Sequence, residues 1–236
     1  MTDRLRGSRI GVLRDLFRPG APFEPAKTVI EAQLEKLIEQ GATLVDPVTT
    51  GLDLLGMMPT LRVNYFELQT AFNAYLRRRG PSSPVRTFKE LMATGKYLPL
   101  LKSRFQETLV AGDLGRNTAY LARLANQRRI HEALVTVMDR HQVQALVYPV
   151  KLLGAPSLGE ADDGAHDNNI SSISGLPAVV VPAGMTDAGL PLSMEFLARP
   201  FDEATLLALA HAYEDASRAR KPPPTTPGLP DEVFSY

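Results

Sequence analysis

Three closely spaced serines, Ser171, Ser172 and Ser174, and a lysine about twenty positions before them, Lys151, are the residues whose types could build a nucleophile. A serine hydroxyl attacks a carbonyl only when a neighbouring base takes its proton, and a lysine acts as that base only when its surroundings keep it neutral. Nothing in the local sequence lowers the Lys151 pKa or fixes its distance from the serines. The plainer reading is that the serines bond backbone groups where a loop enters a strand. Other catalytic patterns are missing. There is no GxSxG elbow; the nearest string is Ser171-Ser172-Ile173-Ser174-Gly175. None of the seven lysines stands three residues after a serine. The turn Arg18-Pro19-Gly20-Ala21 lacks the glycines of a dinucleotide or phosphate loop. Asp162, Asp163, His166 and Asp167 form an acidic cluster that could ligate a hard cation. No ligand spacing is enforced there, so the cluster reads as a solvated, turn-rich loop. His131, His141 and His211 each fall on a predicted helix without a positioned partner.

The elements around these residues follow from periodicity. Arg9–Arg14 reads as a strand, and Ala26, Val29, Ile30, Leu34, Leu37 and Ile38 mark one face of a helix with Pro25 at its start. Thr43-Leu44-Val45-Asp46 before Pro47 reads as a second strand, completing a parallel βαβ unit. The middle is helical. Leu61, Tyr65, Leu68, Phe72 and Leu76 lie on one helix face, Thr87 and Glu90 form a capping box, and a long helix spans about 117–141 with Leu121, Leu124, Leu134, Val135 and Met138 inward. It leads into the strand Val143–Tyr148. After the loop 151–169, Pro177–Pro182 is a solid apolar run suited to a central strand buried on both faces. Leu190, Leu192, Met194 and Phe196 alternate with Ser193 and Glu195, which implies a neighbouring strand with one wetter face. Asp202 is placed to cap a last helix whose inward stripe is Leu206, Leu207, Ala210 and Tyr213. The organisation expected is one α/β body over 1–221, with a helical segment at about 59–141 and a proline-rich tail at 222–236.

Composition narrows the class. The 236 residues carry 26 basic and 26 acidic side chains and are 44% apolar, as in an ordinary globular protein. Formal neutrality argues against a nucleic-acid or anionic-membrane partner. The absence of cysteine excludes a disulfide framework, a thiolate metal site and a cysteine nucleophile. With no signal-peptide pattern at Met1–Arg6 and no long apolar run, a cytoplasmic location is expected.

Three strings in the last third, Gly175-Leu176-Pro177-Ala178-Val179-Val180-Val181-Pro182-Ala183-Gly184, Gly189-Leu190-Pro191-Leu192 and Arg199-Pro200-Phe201-Asp202-Glu203-Ala204-Thr205-Leu206-Leu207, resemble the closing segment of the amidase signature family. RIGVL near residue 10, GATLVDP, the stretch from Phe66-Glu67 to Tyr75-Leu76, and ALVYP extend the resemblance over about residues 8–222. Within the family, the chain is similar to bacterial amidases and to hydrolases of cyclic amides such as the 6-aminohexanoate cyclic dimer. The resemblance implies an α/β fold, with a mixed β-sheet flanked by helices in an α/β/α arrangement. It also implies hydrolysis of a carboxamide through an acyl-enzyme, with a serine nucleophile, a second serine in a cis peptide and a lysine, and neither cofactor nor metal.

The family's lysine and its Gly-Gly-Ser-Ser-Gly-Gly signature belong to its N-terminal half, and no residue here matches them. The chain is therefore expected to be the C-terminal half of an amidase, incomplete and inactive alone. Non-catalytic alternatives are an α/β binding module or a pseudoenzyme subunit; a serine–lysine hydrolase built from Ser172 and Lys151 is a further one. Ser172 also departs from the asparagine that members often carry three residues before the glycine matched by Gly175. Since α/β sheets bind ligands beyond strand ends, Lys151, Leu152, Leu153, Asn168, Asn169 and Ser172 are the expected lining of a substrate pocket. The partners expected are a small-molecule amide and either a second copy of the chain or an N-terminal amidase half, because strands around 177–182 would otherwise keep unpaired edges.

Overall fold

The computed structural model describes residues 4–157 and 168–222. The chain divides into two compact units, an α/β unit formed by residues 1–59 and 130–236 and a helical unit formed by 60–129.

Among the described residues the α/β unit is built on five strands, β1 (Arg9–Leu13), β2 (Thr43–Val48), β3 (Ala145–Pro149), β4 (Ala178–Met185) and β5 (Pro191–Leu197). They lie in the order β2-β1-β3-β5-β4. β1 pairs parallel with both β2 and β3, whereas β5 runs antiparallel to β3 and to β4, so the sheet is mixed. Side chains alternate across it. Ile10, Val12, Ala145, Val147, Val181, Ala183, Met194 and Phe196 share one buried cluster with residues of two helices, α1 (Glu24–Glu39) and α8 (Glu203–Ser217), while a short helix, α2 (Leu54–Met57), follows β2 in the chain. Tyr213 of α8 anchors that layer: its ring meets Phe196 at 6.1 Å, and its hydroxyl lies 2.9 Å from both Gln33 Oε1 and the Pro182 carbonyl. Burial pushes the Tyr213 pKa up to about 12. The opposite face carries Gly11, Leu13, Leu146, Tyr148, Glu195 and Leu197, all buried. Gly11 opposes Leu146 in register, and a Cβ there would stand 2.9 Å from Leu146 Cδ2 and 3.0 Å from Val48 Cγ2, so a larger residue would have to push those side chains aside.

At the end of β1, Arg14 ties the layers together. It bonds Asp46 of β2 through Nε at 2.7 Å and Glu31 of α1 through Nη2 at 3.2 Å, while its guanidinium lies over the Phe17 ring.

The helical unit contains α3 (Asn64–Arg79), α4 (Phe88–Thr94), α5 (Lys102–Leu109) and the start of α6 (Thr118–Arg140). A chain of aromatic rings, Phe72, Phe88, Phe105 and Tyr97, joins α3, α4 and α5 with centroids 5.2–5.8 Å apart. Half of the expected capping box forms: Thr87 Oγ1 accepts from the Glu90 amide at 3.1 Å, whereas Glu90 Oε2 accepts from the Arg86 amide at 2.7 Å, one residue before the N-cap amide that a full box engages. No described helix is long and apolar enough to cross a membrane.

Five expectations need correction. β4 is an edge strand, and Val180 is 52% exposed, so the run Pro177–Pro182 is not buried on both faces. Glu195 is buried despite its place on the expected wet face of β5. Leu207, Ile38 and Leu121, expected inward, are exposed; Leu209 takes the place of Leu207 in the α8 layer. Asp202 holds the N-cap position of α8, but its side chain makes no capping hydrogen bond. The strand before Pro47 also continues through it to Val48, which an edge position tolerates because no ladder partner needs the proline nitrogen.

Candidate active-site region

Parallel strands β1 and β3, with β4 running the same way, end on one side of the sheet, and that side is where open α/β sheets take ligands. Beyond β3 the chain runs through Val150, whose amide donates to the Ser193 carbonyl at 3.1 Å, into Lys151, Leu152 and Leu153. Lys151 and Leu153 are half-buried. Leu152 is buried against Ala26 and Leu192, so it anchors this stretch from below.

On the returning side, Asn168 is 2% exposed and works as a staple. Its Nδ2 donates to the Pro149 carbonyl at 2.7 Å and to the Leu16 carbonyl at 3.1 Å, and its amide donates to the Val150 carbonyl at 2.8 Å. These bonds join the end of β3 to the turn that follows β1. Its Oδ1 is buried without a partner among the described residues. Asn169 precedes the short helix α7 (Ile170–Ser174) in the N-cap position, and its carbonyl accepts from Ser172 Oγ at 3.0 Å. Ser172 is exposed. Ser174 turns inward: its Oγ donates to the Ser171 carbonyl at 3.3 Å, and its own carbonyl lies 2.9 Å from His131 Nδ1. The bonds of Ser172 and Ser174 run to backbone groups, as the plainer reading of the serines anticipates. Asp162, Asp163, His166 and Asp167, like the tail beyond 222, lie outside the described residues.

The sequence reading missed a polar group behind this loop. Tyr148 of β3 stands directly opposite Glu195 of β5, and Ser171 of α7 reaches the same place. Burial raises the Glu195 pKa, and the Ser171 and Tyr148 hydroxyls work against that rise. Tyr148 is pushed well above its ordinary value by burial first and by the Glu195 charge second. The only signal in the sequence was a carboxylate between Met194 and Phe196, which period-2 alternation assigns to solvent. Among the described residues, no group of three or more acidic or histidine side chains could hold a metal ion.

A family model described as Amidase matches residues 1–207, and the chain belongs to that family, the amidase signature enzymes. It is 30% identical over 227 residues to a glutamyl-tRNA(Gln) amidotransferase subunit of Myxococcus xanthus, covering 89% of this chain and 45% of the relative. A putative amidase of Synechocystis is 34% identical over 146 residues, covering 55% of this chain and 27% of that one. Among solved structures, the native peptide amidase of Stenotrophomonas maltophilia superposes with a TM-score of 0.73 at 26% identity, over 94% of this chain and 45% of that chain. A peptide amidase in complex with the inhibitor chymostatin gives 0.76 at 27% identity, over 94% and 46%. The chain thus spans about 45% of the length of these full-coverage relatives.

Proposed function

We propose that this chain forms the C-terminal portion of an amidase signature hydrolase that breaks the C–N bond of a linear or cyclic carboxamide. The observation that carries the reading is the superposition of nearly the whole chain on just under half of a peptide amidase. In such a hydrolase a serine oxygen attacks the amide carbonyl, the amine leaves with a proton, and water then cleaves the acyl ester to regenerate the serine. A neutral lysine takes the serine proton through a bridging serine. No residue of this chain matches those three groups. Its own part is to supply sheet strands and one wall of the pocket, with Lys151, Leu153, Asn169 and Ser172 lining it and Leu152 and Asn168 fixing the loops from inside. A cytoplasmic location accompanies this reading.

Catalysis then requires an N-terminal amidase half. The eight-residue edge strand β4, with Val180 half in water, offers the place for it, because an open edge presents unpaired backbone groups. The second reading is a non-catalytic subunit of an assembly, favoured by the relative whose name makes it one component of an amidotransferase.

One experiment separates them. The chain alone and the chain co-expressed with the first half of a peptide amidase are assayed on an aryl amide. Turnover only in the second preparation supports the divided amidase. Turnover by the chain alone, or its labelling by a fluorophosphonate, overturns it; a stable complex without turnover favours the subunit reading. Full retention of activity in Lys151→Ala dismisses a Ser172–Lys151 nucleophile.

A further inference from the structure

The neutral total that speaks against an anionic partner is the sum of two unlike units. The helical unit, residues 60–129, holds 13 of the 26 basic residues and only 4 of the 26 acidic ones, a net charge of +9, which leaves −9 on the rest of the chain. Most of those cations are exposed, including Arg77, Arg78 and Arg79 on the last turn of α3.

The same unit pushes apolar side chains into water between α4 and α5. Leu98 is 62% exposed and Leu100 is 71% exposed. Their surroundings hold them there. Tyr97, just before, packs its ring 5.5 Å from Phe105, while Pro99 opens a 3-10 turn, Pro99–Leu101, that leads directly into α5. Lys96 and Lys102 stand exposed on either side. A fixed pair of leucines between two lysines, on a unit of strong positive charge, matches an interface that takes apolar atoms below a layer of negative headgroups.

We infer that the helical unit docks peripherally on an anionic lipid surface, with Leu98 and Leu100 entering the interfacial layer and Lys96 and Lys102 meeting the headgroup phosphates. Lipid fits these observations better than nucleic acid. Single-stranded nucleic acid is held by several exposed aromatic faces on which bases stack; the side chains that project between α4 and α5 are aliphatic, and Tyr75 on α3 is the one aromatic among the large apolar side chains that the described part of this unit exposes. The inference is independent of the amidase reading.

The test is co-sedimentation of the full chain with vesicles of phosphatidylcholine alone and with phosphatidylglycerol added. The expected result is binding to the anionic vesicles at least about tenfold stronger than to the neutral ones, and release at about 0.5 M salt. Leu98→Ser with Leu100→Ser, and separately Lys96→Gln with Lys102→Gln, each weaken binding about tenfold, whereas Ile38→Ser on the other unit leaves it unchanged. All five side chains are exposed, so the variants keep the fold, which circular dichroism verifies. Equal binding to both vesicles, no binding, or binding indifferent to the leucine pair overturns the inference. So does binding of a single-stranded RNA, or of an added N-terminal amidase half, that the Leu98→Ser, Leu100→Ser variant abolishes while vesicle binding stays as in the parent.

Discussion

Tyr148 and Glu195 face each other across β3 and β5, a phenol and a carboxyl buried together on the sheet face they share with Leu13, Leu146 and Leu197. A carboxyl moved out of water favours its protonated form, so Glu195 ionises only above its ordinary value of 4.5.

That displacement fixes a sign. Above pH 4.5 the unfolded chain loses this proton before the folded one does, so the site's contribution to stability is intact below that pH and is lost as pH rises through the folded value. Glu195→Gln removes the titration. The thermal midpoint of the parent relative to the variant should fall as pH rises above about 4.5, then level off once Glu195 is ionised in the folded chain as well. A difference that is constant with pH would count against a buried, titrating Glu195.

Asn168 offers a second measurement. Asn168→Ala removes the donor to the Pro149 and Leu16 carbonyls and leaves both without it. The expected loss is about 2–3 kcal/mol, read from the midpoint of urea unfolding at unchanged slope.

Phe201 adopts φ of 65° while 94% exposed, so it carries left-handed strain and little packing. Phe201→Gly should therefore stabilise the chain by about 0.5–1 kcal/mol, the relief of strain exceeding the entropy that glycine costs. A loss of stability would mean that the ring makes a contact in solution.

Val180 tests the open edge. Val180→Lys places a charge on β4 where edge strands commonly carry one, and it should lower self-association without lowering the unfolding midpoint. Light scattering at rising protein concentration reads the effect. The same variant should weaken capture of an N-terminal amidase half.

Local signals carried the elements. Pro25 at the start of α1, the Thr87 cap on the Glu90 amide and the stripe through Leu134 and Met138 each depend on residues within a few positions of one another, and each is found in the structure. Position within the sheet depends on which strands pair, as Glu195 does with Tyr148 and Ile10 with Ala145, and a strand's own residues do not show that. Hence Val180 looked central and proved to be at an edge, and Glu195 looked wet and proved to be buried. The site divided in the same way. Periodicity pointed to the loop after β3 and the turn before α7, but the Asn168 bond to the Leu16 carbonyl joins residues 152 positions apart, a contact to which no local pattern points.

The opposite charges of the two units also bear on how the protein is handled. A molecule with a pI near 6.9 would be expected to pass through both ion-exchange resins at neutral pH. With nine excess cations on the helical unit and nine excess carboxylates on the rest, this one should adhere to a cation exchanger through one part of its surface and to an anion exchanger through another.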